Sequence, residues 1–212
     1  MSDAPPGKVQ EYANQTIVYV QRALKVPLEY DSETLPILDH YLRGVPRDQP
    51  ATVELVILTA GAYFGEVLRR RLGGRWELAE DPKSWRMVLP SSINFSPAGM
   101  VAAAIAQEEL ADVDTALDAP PRMRQHLHEA LQRMGQLAAD EFYSLCGRLD
   151  TIEHLHEVLV SVAAAALGSA GAEQVEEATG DLARESGASD DDATASAADA
   201  DADAAPSDPL TN

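Results

Sequence analysis

Cysteine and lysine are scarce in this chain, and long apolar runs are missing. The 212 residues include one cysteine, Cys146, which rules out an intramolecular disulfide and fits a reducing compartment. The N-terminus has no apolar segment of a secretory signal. The longest apolar run, residues 53–68, contains Glu54 and Glu66 and is predicted to be too short to span a bilayer. We therefore expect a cytoplasmic protein, and the excess of arginine over lysine with abundant alanine favours a bacterial source.

Positive charge is scarce as well. Lysine and arginine total 16 against 35 acidic residues, which gives a net charge of −19. Nucleic acids are held largely through Lys and Arg side chains that neutralise phosphates, and anionic membrane surfaces attract the same side chains. We therefore expect neither a nucleic acid nor a membrane as a partner. An acidic surface instead suits a protein partner of basic character.

The C-terminal segment, residues 169–212, differs in composition from the rest. It holds no aromatic residue, and twelve acidic residues against one arginine give it a charge of −11, which leaves −8 for residues 1–168. Such a segment buries too little apolar surface to offset the entropy lost on ordering. It is predicted to be a disordered acidic tail, whereas residues 1–168 are long enough for one globular domain.

Apolar residues within the predicted domain recur mostly at helical spacing. Ser96 is the predicted N-cap of a helix, and Asp48 and Asp150 stand in capping positions before two others. The predicted helices cover residues 8–25, 32–44, 50–72, 97–110, 123–145 and 150–166. The predicted strands cover residues 75–78 and 84–89.

The third helix is apolar on nearly all sides in its middle, which indicates a buried helix. Gly61 and Gly65 lie four residues apart on one face of it, where they would let another backbone approach closely. Each costs roughly 1 kcal/mol relative to alanine in a helix, so we expect the space to be used. Gly73 and Gly74 are predicted to end this helix.

Two short alternating segments follow this helix and are predicted to form a β-hairpin. Trp76 lies in the first segment and Trp85 in the second, and both are expected to face the helices. The predicted fold class is therefore α+β and predominantly helical, with about six helices, one small antiparallel β-hairpin and the acidic tail.

Glu66 is the sharpest single candidate for a site, because it stands among apolar residues of the buried helix. It could serve as a general acid or base, or accept a hydrogen bond from a ligand amine. It could equally be a fixed partner of Arg75, of the Trp76 indole N–H or of backbone N–H groups. The structural interpretation is favoured, since buried charges are usually paired.

Arginine is concentrated at the end of the same helix. Arg69, Arg70, Arg71 and Arg75 form the one dense positive cluster in the sequence. They could hold a phosphate or an acidic partner through bidentate contacts. The favoured interpretation is that they complement the helix dipole and pair with the domain's own carboxylates.

No catalytic motif, metal site or cofactor is predicted. The sequence HLHE occurs at residues 126–129 and 154–157, but residues two apart on a helix point about 200° away from each other and cannot chelate one ion. One Glu-x-x-His pair, Glu153 and His156, is too few for a di-iron site. Cys146 is expected near the end of a helix, where a thiolate is disfavoured.

The segment G-A-Y-F-G-E at residues 61–66, followed by G-G-R-W at residues 73–76, resembles a pattern in uncharacterised bacterial α+β domains. In those domains a G-A-Y-x-G-E helix leads into a G-G-x-W strand. The resemblance covers about 25 residues. It implies that Gly61, Gly65, Glu66 and Trp76 form one structural unit, and it transfers no chemistry.

Two hypotheses for function are left open. The favoured one is a non-catalytic protein-interaction or adaptor module, with a basic protein partner or with self-association into a homo-oligomer. The alternative is a small-ligand-binding protein or an enzyme, and it requires the Glu66 carboxylate to be unpaired and reachable by solvent. A weaker possibility is that the acidic tail mimics nucleic acid. The candidate binding residues are Glu66, Arg69, Arg70, Arg71, Arg75, Trp76 and Trp85.

Overall fold

The computed structural model describes residues 4–135 and 138–185, with side chains as far as residue 166. Within this part the fold is predominantly helical α+β with a small antiparallel sheet, as predicted. The helices are α1 (Gly7–Leu24), α2 (Leu35–Arg43), α3 (Pro50–Leu72), α4 (Pro97–Ala106), α5 (Pro121–Met134), α6 (Ala139–Phe142) and α7 (Leu145–Glu185). The strands are β1 (Arg75–Glu77), β2 (Arg86–Val88) and β3 (Asn94–Phe95).

The first three helices lie close to their predicted positions, because local signals start and stop them. A short 3-10 turn, Ser32–Thr34, leads into α2, and the Asp31 side chain accepts a hydrogen bond from the Glu33 N–H in this turn. α3 ends where Gly73 adopts a left-handed conformation with φ of 74°. The predicted cap at Asp48 is wrong: Pro50 is the first residue of α3, so the capping position falls on Gln49.

α3 is the centre of the core. It packs against α1 on one side and α4 on another, and its residues from Thr59 to Leu68 are all buried. A Cβ atom on Gly61 would lie 2.8 Å from the Ala98 Cα of α4, so the predicted close backbone approach is confirmed at this glycine. At Gly65 the space is filled by the Trp76 ring instead of by backbone.

The sheet has three strands in the order β1-β2-β3, all antiparallel. Trp76 pairs with Met87 across the predicted hairpin, and Met87 pairs with Phe95 on its other side. β3 was not predicted, because two residues are too few to show an alternating pattern.

The helices after the sheet differ from the prediction in their bounds. α4 ends at Ala106, with Gln107 in a left-handed conformation, and does not reach residue 110. The predicted helix over residues 123–145 is interrupted, because α5 ends before Gly135, where φ is 76°. α7 begins at Leu145, so Asp150 lies inside the helix and its predicted capping role is wrong.

α3 has the length and composition of a membrane-crossing helix among the described residues, in contrast to the expectation from its apolar run. In its most apolar window 61% of the residues are buried inside the fold. A core helix of a folded domain meets the same criteria, and the burial of α3 against α1 and α4 is of that kind.

The contacts along the chain divide it into two units, one up to Leu167 and the other from Gly168 onward. The backbone of α7 is helical as far as Glu185 and thus enters the segment that the sequence predicts to be disordered. The predicted disorder of residues 186–212 lies outside the described residues.

Candidate functional site

The Glu66 carboxylate is completely buried and is held by three groups. The Trp76 indole N–H donates to Oε1 at 2.7 Å, and the Arg69 Nε–H lies 3.0 Å from Oε1 and 3.2 Å from Oε2. The Arg70 Nε atom lies 3.9 Å from Oε2. A buried carboxylate with this many donors is a satisfied charge.

Local helical geometry explains the contacts with arginine. Arg69 and Arg70 follow Glu66 by three and four residues on α3, and these spacings place side chains on one face of a helix. Trp76 approaches from β1, where Gly65 leaves room for its ring. Of the partners considered for Glu66, Trp76 is therefore the one that the structure supports.

Arg70 has a second partner besides Glu66, and Arg71 contacts other residues. The Arg70 guanidinium lies over the Tyr30 ring, 4.0 Å from its centroid. Arg71 forms an ion pair with Glu153 of α7 and donates to the Ser32 hydroxyl at 3.1 Å.

The remaining cluster residue, Arg75, pairs with Glu77 on the strand surface, so the suggested contact between Arg75 and Glu66 is not formed. With this pair, all four arginines of the predicted cluster contact the domain's own side chains.

The predicted tryptophan contacts with the helices are present. The buried Trp85 ring stacks on Tyr12 of α1, with centroids 5.6 Å apart, and its indole N–H donates to the Ala79 carbonyl. Trp76 meets Trp85 edge to face at 6.4 Å. The two rings thus fasten the hairpin to α1 and α3.

We call Glu66, Arg69, Arg70 and Trp76 the Glu66 cluster. This cluster cannot present a reactive carboxylate in this structure. Arg69 and Trp76 do line a cavity of about 490 Å³ together with residues 4–6, but Glu66 does not line it. The alternative hypothesis requires an unpaired, solvent-reachable carboxylate, and the side chain is instead enclosed and bonded. The geometry therefore supports a structural role for Glu66.

Asp39 is a buried polar residue that the sequence analysis did not single out. Its carboxylate accepts hydrogen bonds from the backbone N–H groups of Leu145, at 2.7 Å, and Cys146, at 3.2 Å. These are free donors at the start of α7, so a residue of α2 caps a helix far along the chain. No local sequence signal indicates a cap of this kind.

The same arrangement makes the Cys146 thiol unreactive. Burial, with a smaller contribution from the neighbouring Asp39 carboxylate, raises the pKa of Cys146 to about 12. At neutral pH the sulfur is therefore protonated, and a thiol is a poor nucleophile. Cys146 lies at the beginning of α7 and not near the end of a helix as expected.

The histidines do not converge. His156 Nδ1 lies 2.9 Å from the Ser91 hydroxyl, and burial lowers the pKa of its imidazole. His128 Nε2 instead contacts Gln132 on α5. Throughout the described residues, no group of three or more His, Cys, Asp or Glu side chains is arranged to hold a metal ion.

A groove between α3 and α4 has a volume of about 840 Å³. We call it the α3–α4 groove. Val53 and Ile57 of α3 and Ala98 and Ala102 of α4 provide its apolar surface. The two alanines keep α4 narrow, so space remains beside α3 that larger side chains would fill.

Two ion pairs connect parts of the wall of this groove. Lys83, in the turn between β1 and β2, pairs with Glu54 of α3. Arg86 of β2 pairs with Asp114 in the connection between α4 and α5 and donates to Asn94 at 2.8 Å. These contacts join the turn and the connection to the elements that form the groove.

The connection between α4 and α5 carries negative charge beside the groove, while the exposed Arg47 lines another part of it. Residues 107–120 contain five carboxylates and no basic residue. Asp114 and Asp118 are paired with arginines. Within the described chain, the exposed side chains of Glu108, Glu109 and Asp112 make no ion pair or hydrogen bond, and Asp112 lines the groove.

No protein-family model, curated protein or solved structure matches this chain. The resemblance to bacterial domains with a G-A-Y-x-G-E helix therefore remains an expectation. Of the four residues that the resemblance groups together, Gly65, Glu66 and Trp76 contact one another, whereas Gly61 faces Ala98 of α4.

The structure thus brings together Glu66, Arg69, Arg70 and Trp76, with Trp85 against the Trp76 ring, and leaves Arg71 and Arg75 in separate contacts. None of these seven candidates lines the α3–α4 groove. Sequence reasoning missed the groove because its small and aliphatic side chains look like ordinary core residues. Its charged residues are scattered along the chain: Arg47, Glu54, Lys83, Arg86, Asp112 and Asp114. The run of acidic residues after α4 was the one available signal.

Proposed function

We propose that this protein is a non-catalytic, cytoplasmic interaction module that binds a segment of another protein in the α3–α4 groove. The observation that carries the proposal is the groove itself, about 840 Å³ in volume, which combines apolar side chains with the exposed Asp112 carboxylate. The Glu66 cluster, by contrast, is enclosed and internally paired. A catalytic role would need a reactive group. The groove instead offers apolar surface and charged side chains, which suit the binding of a protein segment.

The chemistry of the groove indicates a partner segment with both apolar and basic side chains. Apolar residues of the partner would cover Val53 and Ile57, which are only half-buried in the free domain. A lysine or arginine of the segment would meet Asp112, the carboxylate of the described lining that has no ion pair. Complementary charges of this kind steer association and fix orientation more than they add affinity, while apolar burial provides the driving force.

Site-specific cross-linking tests this proposal. A variant with a photo-reactive amino acid in place of Val53 would be expressed in the source cell, and the cells would then be irradiated. The matched control carries the same amino acid in place of Val18, which is 43% exposed on α1 and lies outside the groove. We expect one dominant protein adduct from position 53 and none from position 18.

Three results would contradict the proposal. They are the absence of any adduct at position 53, an identical set of adducts at both positions, and an adduct that contains two copies of this chain. When the cross-linked partner is known, Asp112→Lys should weaken its binding about tenfold or more at low salt, since a like charge then faces the basic segment. Circular dichroism checks that the variants are folded.

A further inference from the structure

A second groove lies where α1 and α2 end and α3 begins. Its volume is about 540 Å³. The surface is formed by half-buried Leu24 and Tyr41 and by buried Val45 and Val56. These side chains leave an open apolar depression on the side of α3 that carries Val56.

Basic side chains line this groove, and carboxylates do not. His40 and Arg43, both exposed in the last turn of α2, are the two charged or titratable basic groups in the lining, which contains no Asp or Glu among the described residues. Arg22 and Lys25 stand on either side of Ala23 and Leu24 in the chain. We call this site the cationic groove.

Two acidic residues next to the lining are engaged elsewhere, and the exposed Asp48, two residues after Pro46, does not line the groove. The Asp39 carboxylate is bonded to the start of α7, and Glu54 pairs with Lys83. The side chains of His40 and Arg43 have no hydrogen bond or ion pair within the described part of the chain. Their place at a helix C-terminus explains why cations are tolerated here, but it leaves their donors available. On a chain of charge −19, this is an unusual surface.

We infer that the cationic groove binds a short acidic and apolar peptide segment of a protein partner. Aspartate or glutamate side chains of the segment accept hydrogen bonds from Arg43 in bidentate geometry and from His40. An apolar side chain of the segment covers Leu24 and Tyr41. Arginine and tyrosine are the residue types that most often contribute large shares of binding energy at interfaces.

The occupant differs in charge from that of the α3–α4 groove. The inference therefore does not depend on the proposed function, and each can fail without the other. If both hold, the domain joins a basic segment on one side to an acidic segment on another.

Selection from a random peptide library displayed on phage tests the inference without knowledge of the partner. The full chain is the bait, in parallel with Arg43→Glu and with Arg122→Glu. Arg122 is exposed on α5 and outside the groove, so its variant makes the same change of charge elsewhere. We expect the wild type and Arg122→Glu to enrich peptides that combine Asp or Glu with apolar residues, and Arg43→Glu to lose them.

Titration of the most enriched peptide, with a fluorescent label, measures the size of the effect. We expect Arg43→Glu to weaken its binding at least about tenfold and added salt to weaken binding to the wild type. A version of the peptide with glutamine in place of glutamate should bind the wild type more weakly by a similar factor. Thermal denaturation of both variants checks that the fold is unchanged.

Several outcomes would overturn the inference. One is enrichment of neutral or basic peptides alone, and another is acidic peptides that bind the Arg43→Glu variant as well as the wild type. Tighter binding by a peptide of residues 199–212 than by any selected peptide would assign the groove to the chain's own terminus. A dimer that dissociates on Arg43→Glu substitution would assign it to a second copy.

Discussion

At the scale of single residues, Glu66 shows how a charge can be kept inside an apolar helix. Moving a carboxylate from water into a protein interior costs several kcal/mol, and attraction to a partner offsets this cost only where further hydrogen bonds are made. Glu66 has the Arg69 guanidinium and the Trp76 indole as donors. The carboxylate therefore links the end of α3 to β1, which fixes the position of the hairpin.

The first prediction concerns this carboxylate. Glu66→Gln keeps the shape of the side chain but removes the charge that faces Arg69, so we expect the free energy of unfolding to fall by about 2–3 kcal/mol. Glu66→Ala should cost more, about 3–5 kcal/mol, because the arginine and the indole lose their acceptor altogether. Urea denaturation monitored by circular dichroism measures both.

Glu77→Gln is the matched control, because it removes the same charge from an exposed pair with Arg75. Exposed pairs contribute little to stability, so this variant should denature close to the wild type. An equal effect of Glu66→Gln and Glu77→Gln would mean that burial of the Glu66 pair has no structural role.

At the scale of elements, the contact between α3 and α4 depends on small residues on both helices. Gly61 faces Ala98 so closely that a Cβ atom would lie 2.8 Å from the Ala98 Cα and 2.9 Å from its backbone nitrogen. Backbone atoms cannot rotate out of the way as a side chain can. The close contact also keeps Ala98 and Ala102 in position at the edge of the α3–α4 groove.

The second prediction is that Gly61→Ala destabilises the domain. Overpacking costs about 1–3 kcal/mol, whereas alanine in place of glycine gains only about 1 kcal/mol in helix propensity. We therefore expect a net fall in the melting temperature, together with weaker partner binding in the α3–α4 groove because α4 is displaced. Calorimetry and the cross-linking yield at position 53 measure these effects.

Gly7→Ala serves as the comparison, since a Cβ atom there would meet no atom within 4 Å. Its melting temperature should stay the same or rise slightly. If Gly61→Ala proved as stable as Gly7→Ala, the close packing of α3 on α4 would be refuted.

At the scale of the whole molecule, several side chains have a higher pKa in the folded domain than in the unfolded chain. The folded domain therefore holds their protons to a higher pH. Burial raises the pKa of Cys146 from 9.0 to about 12 and that of Tyr30 from 10.0 to about 12. Burial also raises the pKa values of Tyr41 and Tyr63. These groups are neutral when protonated, so the folded state favours the uncharged form.

The third prediction follows from this difference. Because the unfolded chain loses these protons first, the stability that they contribute is complete below pH 9 and is lost as the pH rises from 9 to about 12. We expect the midpoint of urea denaturation to fall steadily over this range. Measuring that midpoint at successive pH values checks the prediction.

Cys146→Ser isolates the contribution of the thiol, because a serine hydroxyl does not titrate in this range. The fall in stability above pH 9 should become shallower in this variant, even if its stability at neutral pH changes. Alkylation of Cys146 in the folded wild type should also stay slow until the pH approaches 12. A thiol that reacts rapidly near pH 9, or an unchanged slope in the variant, would contradict the account.

Local patterns were enough to predict much of the fold. The bounds of α3, the capping role of Ser96 and the tryptophan-bearing hairpin all follow from residues within a few positions of each other. Trp76 was correctly considered as a partner of Glu66, whereas Arg75 was a wrong alternative. Alternation on a strand places Arg75 on the face opposite Trp76, where it meets Glu77.

The sequence by itself determined the helical class of the domain, the burial of α3 and the acidic balance, because these depend on composition and on short-range periodicity. Only the tertiary structure decided that Asp39 caps α7, which partners hold Glu66 and where the two grooves open. Asp39 caps α7 from more than one hundred residues away, and each groove is formed by segments that are distant in the chain. Such contacts depend on how the elements pack in three dimensions, and no local pattern of residues records that arrangement.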